Sequence, residues 1–330
     1  MEPMLATPAP TAPPTRARAA SNAAPGPEGL PGGFPGGPEW AFEVKWDGVR
    51  VLADTRTGQL HLTGRTGADV TVAYPELAGL GTVQGALLDG EVVLLHQGTP
   101  SFAALAARMH VRDGARARAL ADRAPVTYLV FDVLSLYGVD LHRRPWHERR
   151  ATLERLTLPA HVQASPVYDD GAALWEATDA QGLEGVLAKR RDAAYQPGRR
   201  SPDWVKAAHR RTRTALVAGW REESTGHGTL AAVLLAAPDA DGALRYLGRA
   251  GSGLSATTAT DLRRILTAHP ADASPLDDTV PAADALGTHW CTPGLLVDVL
   301  YLNRTPVGRL RQPVVRGVRT DVPVDPWERP

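Results

Sequence analysis

The segment 43–50 constrains this 330-residue chain more than any other part of its sequence. It places Lys45 two residues before an Asp47-Gly48 turn and five residues before Arg50. A lysine amine in this setting can attack an α-phosphate, a carboxylate two residues later can orient the amine, and glycine lets backbone approach a ligand closely. The segment therefore predicts covalent nucleotide chemistry on Lys45. Taken alone, it leaves open an exposed strand end with a solvated Lys-Asp pair.

Apolar runs that carry acidic or basic residues recur downstream of this segment. They are 87–94 with Glu91, 128–134 with Asp132, 183–189 with Glu184, 204–206 with Lys206, and an arginine-rich stretch at 311–321. With these motifs in this order, the chain resembles ATP-dependent DNA ligases of the nucleotidyltransferase superfamily. It is most similar to the compact bacterial repair type and to the ligase domain of bacterial end-joining polymerase–ligases. The resemblance extends from about residue 4 to residue 321.

The resemblance implies an α+β fold with two domains. Residues 39–212 are expected to form an adenylylation domain, which is a nucleotidyltransferase fold of ATP-grasp-like character, and residues 213–330 an OB-fold β-barrel. Residues 1–38 are rich in Pro, Ala and Gly, and this composition favours a flexible segment. Residues 4–8 are the exception, because they resemble a short piece that lines the nucleotide pocket in relatives.

The spacing of apolar residues agrees with these two domains. It predicts helices at 102–109, 148–156 and 257–266. Short apolar runs at 215–220, 230–235, 244–248 and 295–300 predict strands. About five short strands with one helix suit a small oligonucleotide-binding barrel.

The resemblance also implies roles for individual residues. Lys45 is the expected nucleophile, Asp47 orients it, and Lys206 stabilises negative charge on the α-phosphate. The expected nucleotide and phosphate contacts are Glu43 at the adenine edge, Phe131 stacked on adenine, Arg50 at the ribose or phosphate, Arg65 at the 5′-phosphate of a nick, Glu91 at the ribose hydroxyls or a metal-bound water, Lys189 at the α-phosphate, and Arg311, Arg316 and Arg319 over the ATP phosphates. Glu184 and Glu91 are the expected metal ligands, because Mg²⁺ or Mn²⁺ combines carboxylates with phosphate oxygens and water.

The implied reaction has three phosphoryl-type transfers. Lys45 takes AMP from ATP and releases pyrophosphate, AMP moves to a 5′-phosphate, and the 3′-hydroxyl then displaces AMP. The implied cofactors are ATP and a divalent metal, and the implied partner is nicked or broken double-stranded DNA in repair or recombination. DNA end-binding proteins and repair polymerases are further candidate partners. The chain is expected to act as a monomer in the bacterial cytoplasm, on the nucleoid when bound to DNA.

Charge and cysteine content are compatible with this prediction. The formal net charge is zero, but basic residues crowd the stretch 189–213, and such a local patch can follow a phosphate backbone. The single cysteine, Cys291, excludes internal disulfides and fits a reducing compartment. No apolar run reaches the length of a membrane span, and the N-terminus lacks the pattern of a secretory signal.

Two positions depart from the ligase pattern. Ala208 stands where relatives have a second lysine after Lys206, and Val322 stands where relatives end the last motif with Asp-Lys. His209 or Arg210 could replace the first missing cation at a different reach. Weaker charge stabilisation of the polyphosphate predicts weak self-adenylylation. An RNA ligase or capping guanylyltransferase, and a catalytically weakened nick-binding repair protein, are the alternatives that the sequence leaves open.

Overall fold

The computed structural model describes residues 1–9, 30–96, 99–223, 229–319 and 322–328. The chain divides into two compact units, Met1–His209 and Arg210–Pro330. The expected boundary after residue 212 would cut a strand that begins at Arg211 and pairs along its length with a strand of the second unit. The division falls earlier, between His209 and Arg210, so the whole strand belongs to the second unit.

The N-terminal unit is built from two main sheets. Its strands are β1 (Leu5–Pro8), β2 (Trp40–Val44), β3 (Val49–Asp54), β4 (His61–Gly64), β5 (Leu87–Val93), β6 (Leu95–His96), β7 (Thr99–Pro100), β8 (Thr127–Leu136), β9 (Val139–Asp140), β10 (Val162–Ala164), β11 (Val167–Tyr168), β12 (Gly185–Arg190) and β13 (Arg200–Ala208). One sheet has the order β1-β13-β12-β2-β11. The other has the order β10-β8-β5-β3-β4, with β9 added to β8, and β6 pairs with β7 alone.

Four α-helices and two 3₁₀ segments flank these sheets. The helices are α1 (Phe102–Ala106), α2 (Gly114–Arg123), α3 (Trp146–Glu154) and α4 (Gly171–Ala180), and the 3₁₀ segments are Thr71–Ala73 and Pro75–Thr82. Asp170 begins α4 because its carboxylate accepts hydrogen bonds from two backbone amides of the first turn. The predicted helix at 148–156 corresponds to α3, while the one at 102–109 ends early, at Ala106.

The start of the chain is an integral part of the first sheet. Met4 is buried, and β1 runs parallel to β13 with Leu5 opposite Arg200. Within the tract expected to be flexible, Phe34 is buried against Phe42, with ring centroids 6.2 Å apart. A single aromatic anchor therefore orders part of a Pro- and Gly-rich stretch, and the expectation of flexibility at 10–29 lies outside the described residues.

The C-terminal unit is a β-barrel, which confirms the predicted fold class. Its elements are β14 (Arg211–Glu222), β15 (Leu230–Pro238), β16 (Leu244–Ala250), α5 (Ala256–Thr267), α6 (Ala282–Ala285), β17 (His289–Trp290), β18 (Leu296–Tyr301) and β19 (Val314–Arg319), in the sheet order β16-β15-β14-β18-β19 with β17 on β14. A bridge between Ser252 and Val314 joins the two ends of this sheet. Gly253 makes that closure feasible, because a Cβ there would lie 2.0 Å from the Val315 carbonyl oxygen.

Candidate active site

A cleft of about 370 Å³ opens in the N-terminal unit where its two sheets meet. Charged, apolar and aromatic side chains share its walls. They include Leu5, Ala6, Glu43, Lys45, Trp46, Arg50, Arg65, Glu91, Phe102, Met109, Phe131, Arg200, Trp204 and Lys206. Residues far apart in sequence therefore converge on one concave surface, which is the usual form of a small-molecule site.

Lys45 lies at the mouth of the cleft, directly after β2. Its backbone amide donates to the Gly185 carbonyl over 2.9 Å, and its ammonium forms an ion pair with Glu184. The side chains of Lys45 and Glu184 are 22% and 10% exposed. Gly48 lets the following turn pass close to β5, since a Cβ at this position would lie 2.2 Å from the Val92 carbonyl oxygen. The local fold therefore presents the Lys45 amine to the cleft from a fixed backbone.

Two titratable groups share the cleft with Lys45, namely Lys206 on β13 and Glu91 on β5 of the other sheet. Burial lowers the pKa of Lys206, and the positive charges of Lys45 and Arg200 act in the same direction. Burial raises the pKa of Glu91 to about 8, against the opposing charges of Arg50 and Lys45. Such perturbed groups in a cleft are typical of catalytic sites.

The chain contains three lysines, and all of them belong to this region. Lys45 and Lys206 line the cleft, and Lys189 lies immediately beneath it. Other cationic positions are arginine, which stays protonated in proteins and cannot serve as a nucleophile. This use of lysine sets the cleft apart from the rest of the molecule, although the sequence prediction did not draw on it.

Arg50 is held in a network that joins the cleft to the N-terminal strand. Its guanidinium donates to both Asp89 carboxylate oxygens, over 2.9 and 2.6 Å, and to the Met4 carbonyl oxygen over 2.5 Å. The Tyr195 hydroxyl donates to Asp89 over 2.6 Å and accepts from the Met4 amide over 2.8 Å. Asp89 and Tyr195 were not predicted as site residues, although both stand inside motifs that the sequence presents. The network fixes Arg50 and β1 together as one wall of the cleft.

Lys189 does not reach the surface of the cleft, which differs from its predicted contact with the α-phosphate. Its side chain is 0% exposed, and its ammonium lies 2.7 Å from a carboxylate oxygen of Glu43. The same ammonium lies 4.4 Å from the ring centroid of Phe131 and 4.5 Å from that of Trp204. Strand pairing causes this placement, since Lys189 stands directly opposite Trp204 and its side chain points under the aromatic floor.

The remaining predicted residues of the N-terminal unit occupy different parts of the cleft and its surroundings. Arg65 lines it from the end of β4, and Phe131 forms part of its floor beside Trp204, with ring centroids 6.0 Å apart. Trp204 is buried, and it also lines the cleft. Asp47 is partly exposed in the turn between Trp46 and Gly48.

The predicted metal ligands are two carboxylates rather than a cluster. Within the described ranges, no group of three or more His, Cys, Asp or Glu residues could hold a metal ion. Glu91 and Glu184 nevertheless interact electrostatically, because the negative charge of Glu184 helps to raise the pKa of Glu91. Mg²⁺ requires one or two carboxylates when phosphate oxygens and water complete its shell. The two carboxylates therefore fit the donor set of a nucleotide-bound cation.

The residues expected to replace the missing lysine near Ala208 have other partners. His209 stacks on Trp175 with ring centroids 3.8 Å apart, and its Nε2 lies 2.8 Å from the Thr178 hydroxyl. Arg210 belongs to the C-terminal unit, where its guanidinium donates to Gln312. His209 is thus held against α4, and the structure does not place it as a substitute cation in the cleft.

The predicted arginine triad belongs to the C-terminal unit, and the residues that line the cleft belong to the N-terminal unit. Arg316 is exposed on β19, and Arg319 on the same strand donates to Asp298 over 2.7 Å. The backbone amide of Arg311 donates to the Asn303 carbonyl over 2.8 Å. Their contacts with a nucleotide remain predictions.

Comparison with protein families matches both units of the chain. Residues 3–207 match the ATP dependent DNA ligase domain, and residues 226–322 match the ATP dependent DNA ligase C terminal region. The multifunctional non-homologous end joining protein LigD of Mycobacterium bovis is 38% identical over 288 residues, which are 86% of this chain and 36% of that protein. The chain thus spans little more than a third of that relative's length.

Solved structures give the same grouping. The structure of mycobacterial DNA ligase D complexed with ATP and MES covers 98% of this chain and 96% of its own, with 35% identity and a TM-score of 0.52. A structure of a Lig E DNA ligase, described as binding DNA with a minimal scaffold, covers 86% of this chain and 93% of its own, with a TM-score of 0.61 at 17% identity, and so shares the fold. None of the helices in the described ranges combines the length and the apolar character needed to cross a bilayer.

Proposed function

The chain belongs to the ATP-dependent DNA ligase family, and we propose that it joins DNA strands through an AMP group carried on Lys45. One observation carries the assignment of the nucleophile. Lys45 is a lysine at the mouth of the cleft, with Glu184 paired to its ammonium and with Lys206 and Glu91 beside it. A nucleophilic amine with an adjacent carboxylate and a nearby cation is the arrangement that phosphoryl transfer to lysine requires.

The walls of the cleft suit ATP. Phe131 offers a ring face to the base, Glu43 offers an acceptor at its edge, and Leu5 and Ala6 provide an apolar wall from β1. Arg50 approaches the ribose and phosphates in an orientation fixed by its bidentate contact with Asp89. The proposed site therefore orients the triphosphate chain toward Lys45, and orientation of this kind removes much of the entropic barrier.

In the first step, the neutral amine of Lys45 attacks the α-phosphorus of ATP. A bond forms between nitrogen and phosphorus, the bond to the bridging oxygen of the β-phosphate breaks, and pyrophosphate leaves. The proton that Lys45 loses leaves to solvent through the open cleft, and the carboxylate of Glu184 keeps the amine in place. The ammonium of Lys206 stabilises the negative charge that develops on the α-phosphate oxygens. Asp47 is proposed to orient the amine.

The next two steps transfer AMP and close the strand. A 5′-phosphate oxygen at the nick displaces Lys45 from AMP, and Lys45 regains a proton as it leaves. The 3′-hydroxyl then attacks the same 5′-phosphate, AMP departs, and a phosphodiester bond remains. Arg65 is proposed to hold the 5′-phosphate because it lines the cleft from the end of β4.

Glu91 and Glu184 are proposed to hold a divalent cation, Mg²⁺ or Mn²⁺, which when bound supplies positive charge to the triphosphate. Lys206 lines the cleft near Lys45, and its ammonium is proposed to add to this charge. Arg311, Arg316 and Arg319 are proposed to add positive charge from the barrel, with residues 209–214 as the hinge. Weak self-adenylylation remains our expectation, because Ala208 and Val322 supply no charge.

The DNA substrate and the partners are proposed by analogy with the relative named above, whose name records non-homologous end joining. We propose broken or nicked double-stranded DNA as the substrate, with DNA end-binding proteins or a repair polymerase as partners. The proposed compartment is the one that contains the chromosome. We propose that the chain works as a monomer, because one N-terminal unit supplies the whole cleft.

Labelling with α-³²P-ATP and a divalent metal tests the nucleophile. We expect an acid-labile label on the wild-type chain and none on Lys45→Ala, with Arg245→Ala in the barrel as a control that labels normally. Sealing of a pre-adenylylated nick should then follow without ATP. Label that persists on Lys45→Ala would contradict the assignment, and a wild-type chain that neither labels nor seals would favour a nick-binding protein.

A further inference from the structure

Resting on the proposed function, we propose that Lys189 is a positioning residue that determines base specificity, by holding Glu43 as a hydrogen-bond acceptor for the exocyclic amine of adenine. Glu43 lines the cleft, whereas Lys189 lies below it. Lys189 would therefore act on the nucleotide through Glu43 and without touching it. This differs from a contact with the α-phosphate, which a fully buried ammonium beneath the floor cannot make.

Every contact of the Lys189 ammonium described here lies inside the protein. Its ammonium pairs with Glu43 over 2.7 Å and donates to the Phe131 carbonyl oxygen over 3.3 Å. The rings of Phe131 and Trp204 lie close to it on other sides. Aromatic faces attract cations, so both rings help to hold the buried ammonium in place. One buried cation thus joins the acceptor of the cleft to its stacking floor.

The two charges depend on each other. Burial raises the pKa of Glu43, and the positive charge of Lys189 is the largest influence that opposes this shift. Burial likewise lowers the pKa of Lys189, and the charge of Glu43 is the largest influence that opposes it. Loss of either partner leaves the other buried without compensation. Without Lys189, the carboxylate of Glu43 would take up a proton and become a donor.

That change of hydrogen-bonding role is what links Lys189 to the base. Adenine presents an amino donor at position 6, whereas guanine presents a carbonyl acceptor at the same position. An ionised Glu43 accepts from adenine and repels guanine, while a protonated Glu43 can donate to guanine. Sites that match polar groups in this manner discriminate strongly, because the wrong base leaves a buried group unpaired.

A double-mutant cycle of Lys189→Met and Glu43→Gln tests the inference. The measurements are the affinities for AMP and GMP by calorimetry and the rates of labelling with ATP and GTP. With Glu43 in place, we expect Lys189→Met to reduce the preference for adenine by about tenfold or more. When Lys189→Met is combined with Glu43→Gln, the amide needs no counter-ion, so we expect a much smaller effect on the preference.

Lys206→Met is the matched control, since Lys206 faces the cleft from the neighbouring strand. It should slow labelling with ATP and GTP by the same factor and leave the AMP-to-GMP affinity ratio unchanged. Lys189→Met could instead lower the affinities for AMP and GMP by the same factor, both with Glu43 in place and in Glu43→Gln. The inference would then be wrong, and Lys189 would act on the phosphate or on folding. If Lys189→Met alone does not fold, the double variant is compared with Glu43→Gln. A further loss of adenine preference in the double variant would overturn the proposal.

The affinity measurements separate the two hypotheses. A wild-type chain that prefers AMP to GMP but takes no label would contradict the proposed function. The ratio of the AMP and GMP affinities in Lys189→Met would then still confirm or overturn the role of Lys189. A chain that labels on Lys45 but keeps its base preference in Lys189→Met would contradict the inference alone.

Discussion

The two units of the molecule differ in where they keep their charges. In the N-terminal unit, fully buried ionic groups include Glu43, Asp89, Asp132, Arg149 and Lys189. In the described part of the C-terminal unit, Arg213 is the one buried charged side chain, and the barrel core consists of residues such as Val217, Val233, Leu235, Leu247 and Val297. Barrel ion pairs such as Arg245 with Asp239 lie nearer the surface.

The difference follows from what each core must support. Burying an ion costs free energy unless its partners are well placed, so a unit needs a reason to contain several. In the N-terminal unit, two of the buried pairs hold cleft residues, namely Glu43 and Arg50, in single orientations. The pockets described in the barrel are not lined by any residue of a buried ion pair, and an apolar core suffices for the stability of this unit. Buried charge therefore indicates where this protein needs precise placement.

The largest expected effect comes from breaking a buried pair that does not face the cleft. Arg149 donates to both oxygens of Asp132, over 2.7 and 2.8 Å, and both side chains are buried. We expect Arg149→Met to lower the free energy of unfolding by about 3–5 kcal/mol, because Asp132 would keep an uncompensated charge. Arg245→Ala in the barrel should leave the free energy of unfolding close to that of the wild-type chain. If chemical denaturation gave equal losses of unfolding free energy for Arg149→Met and Arg245→Ala, the proposed difference between the two units would be wrong.

The next largest effect concerns charge that the cleft lacks. Ala208 follows Lys206 by two residues on β13, so both side chains point to one face of the sheet. We expect Ala208→Lys, alone and with Val322→Lys, to raise the rate of Lys45 adenylylation, and one such contact can contribute about 10²–10³-fold. The check is single-turnover labelling with ATP. An unchanged rate in the whole series would show that the missing lysines do not limit the first step.

A smaller effect is expected from the network that fixes β1. Tyr195→Phe removes a hydroxyl that bonds both Met4 and Asp89, and an unpaired buried group costs about 1–3 kcal/mol. We expect the KM for ATP to rise more than kcat falls, because β1 lines the cleft. Tyr246→Phe is the barrel counterpart, since its hydroxyl donates to Asp284 over 3.1 Å. That variant should change stability without changing the KM.

The smallest effect is a pH dependence that belongs to the cleft. Burial raises the pKa of Glu91 to about 8, so the folded chain holds this proton at pH values where the unfolded chain has lost it. Ionising Glu91 in the folded chain therefore costs free energy of folding. This cost develops as pH rises above the pKa that Glu91 has in the unfolded chain, and it is complete above about 8. Without added metal ion, we therefore expect the free energy of unfolding, measured by chemical denaturation, to fall as pH rises toward about 8. Glu91→Gln should lack this limb of the profile.

The sequence was a reliable guide to the elements that carry chemistry. The fold class is confirmed, and the predicted helix at 257–266 corresponds to α5, which Ser255 caps. The short apolar runs after residue 214 correspond to β14, β15, β16 and β18. These predictions succeeded because apolar spacing reports which side of an element is buried. They did not anticipate α2 or α4, whose Ala-rich sequences show little apolar periodicity.

Site residues were predictable where a local motif presents them and not where distant segments meet. Lys45, Arg50, Arg65, Glu91, Phe131 and Lys206 all line the cleft, as their motifs predict. Lys189 was predicted at the same surface and lies beneath it, because a sequence motif does not state on which side of a floor an ammonium will lie. Met4 bonds Tyr195 across 191 residues, and no local pattern encodes that contact.

The sequence by itself determined the chemistry available to this protein and the order of its elements, because residue identity and apolar spacing are local properties. It supplied the lysine that we propose as the nucleophile, the acidic residues beside it and the two-unit architecture. The tertiary structure alone decided which of these groups line the cleft and which serve as their buried support. That distinction depends on strand pairing and on burial, where a charge must find a partner brought from elsewhere in the chain.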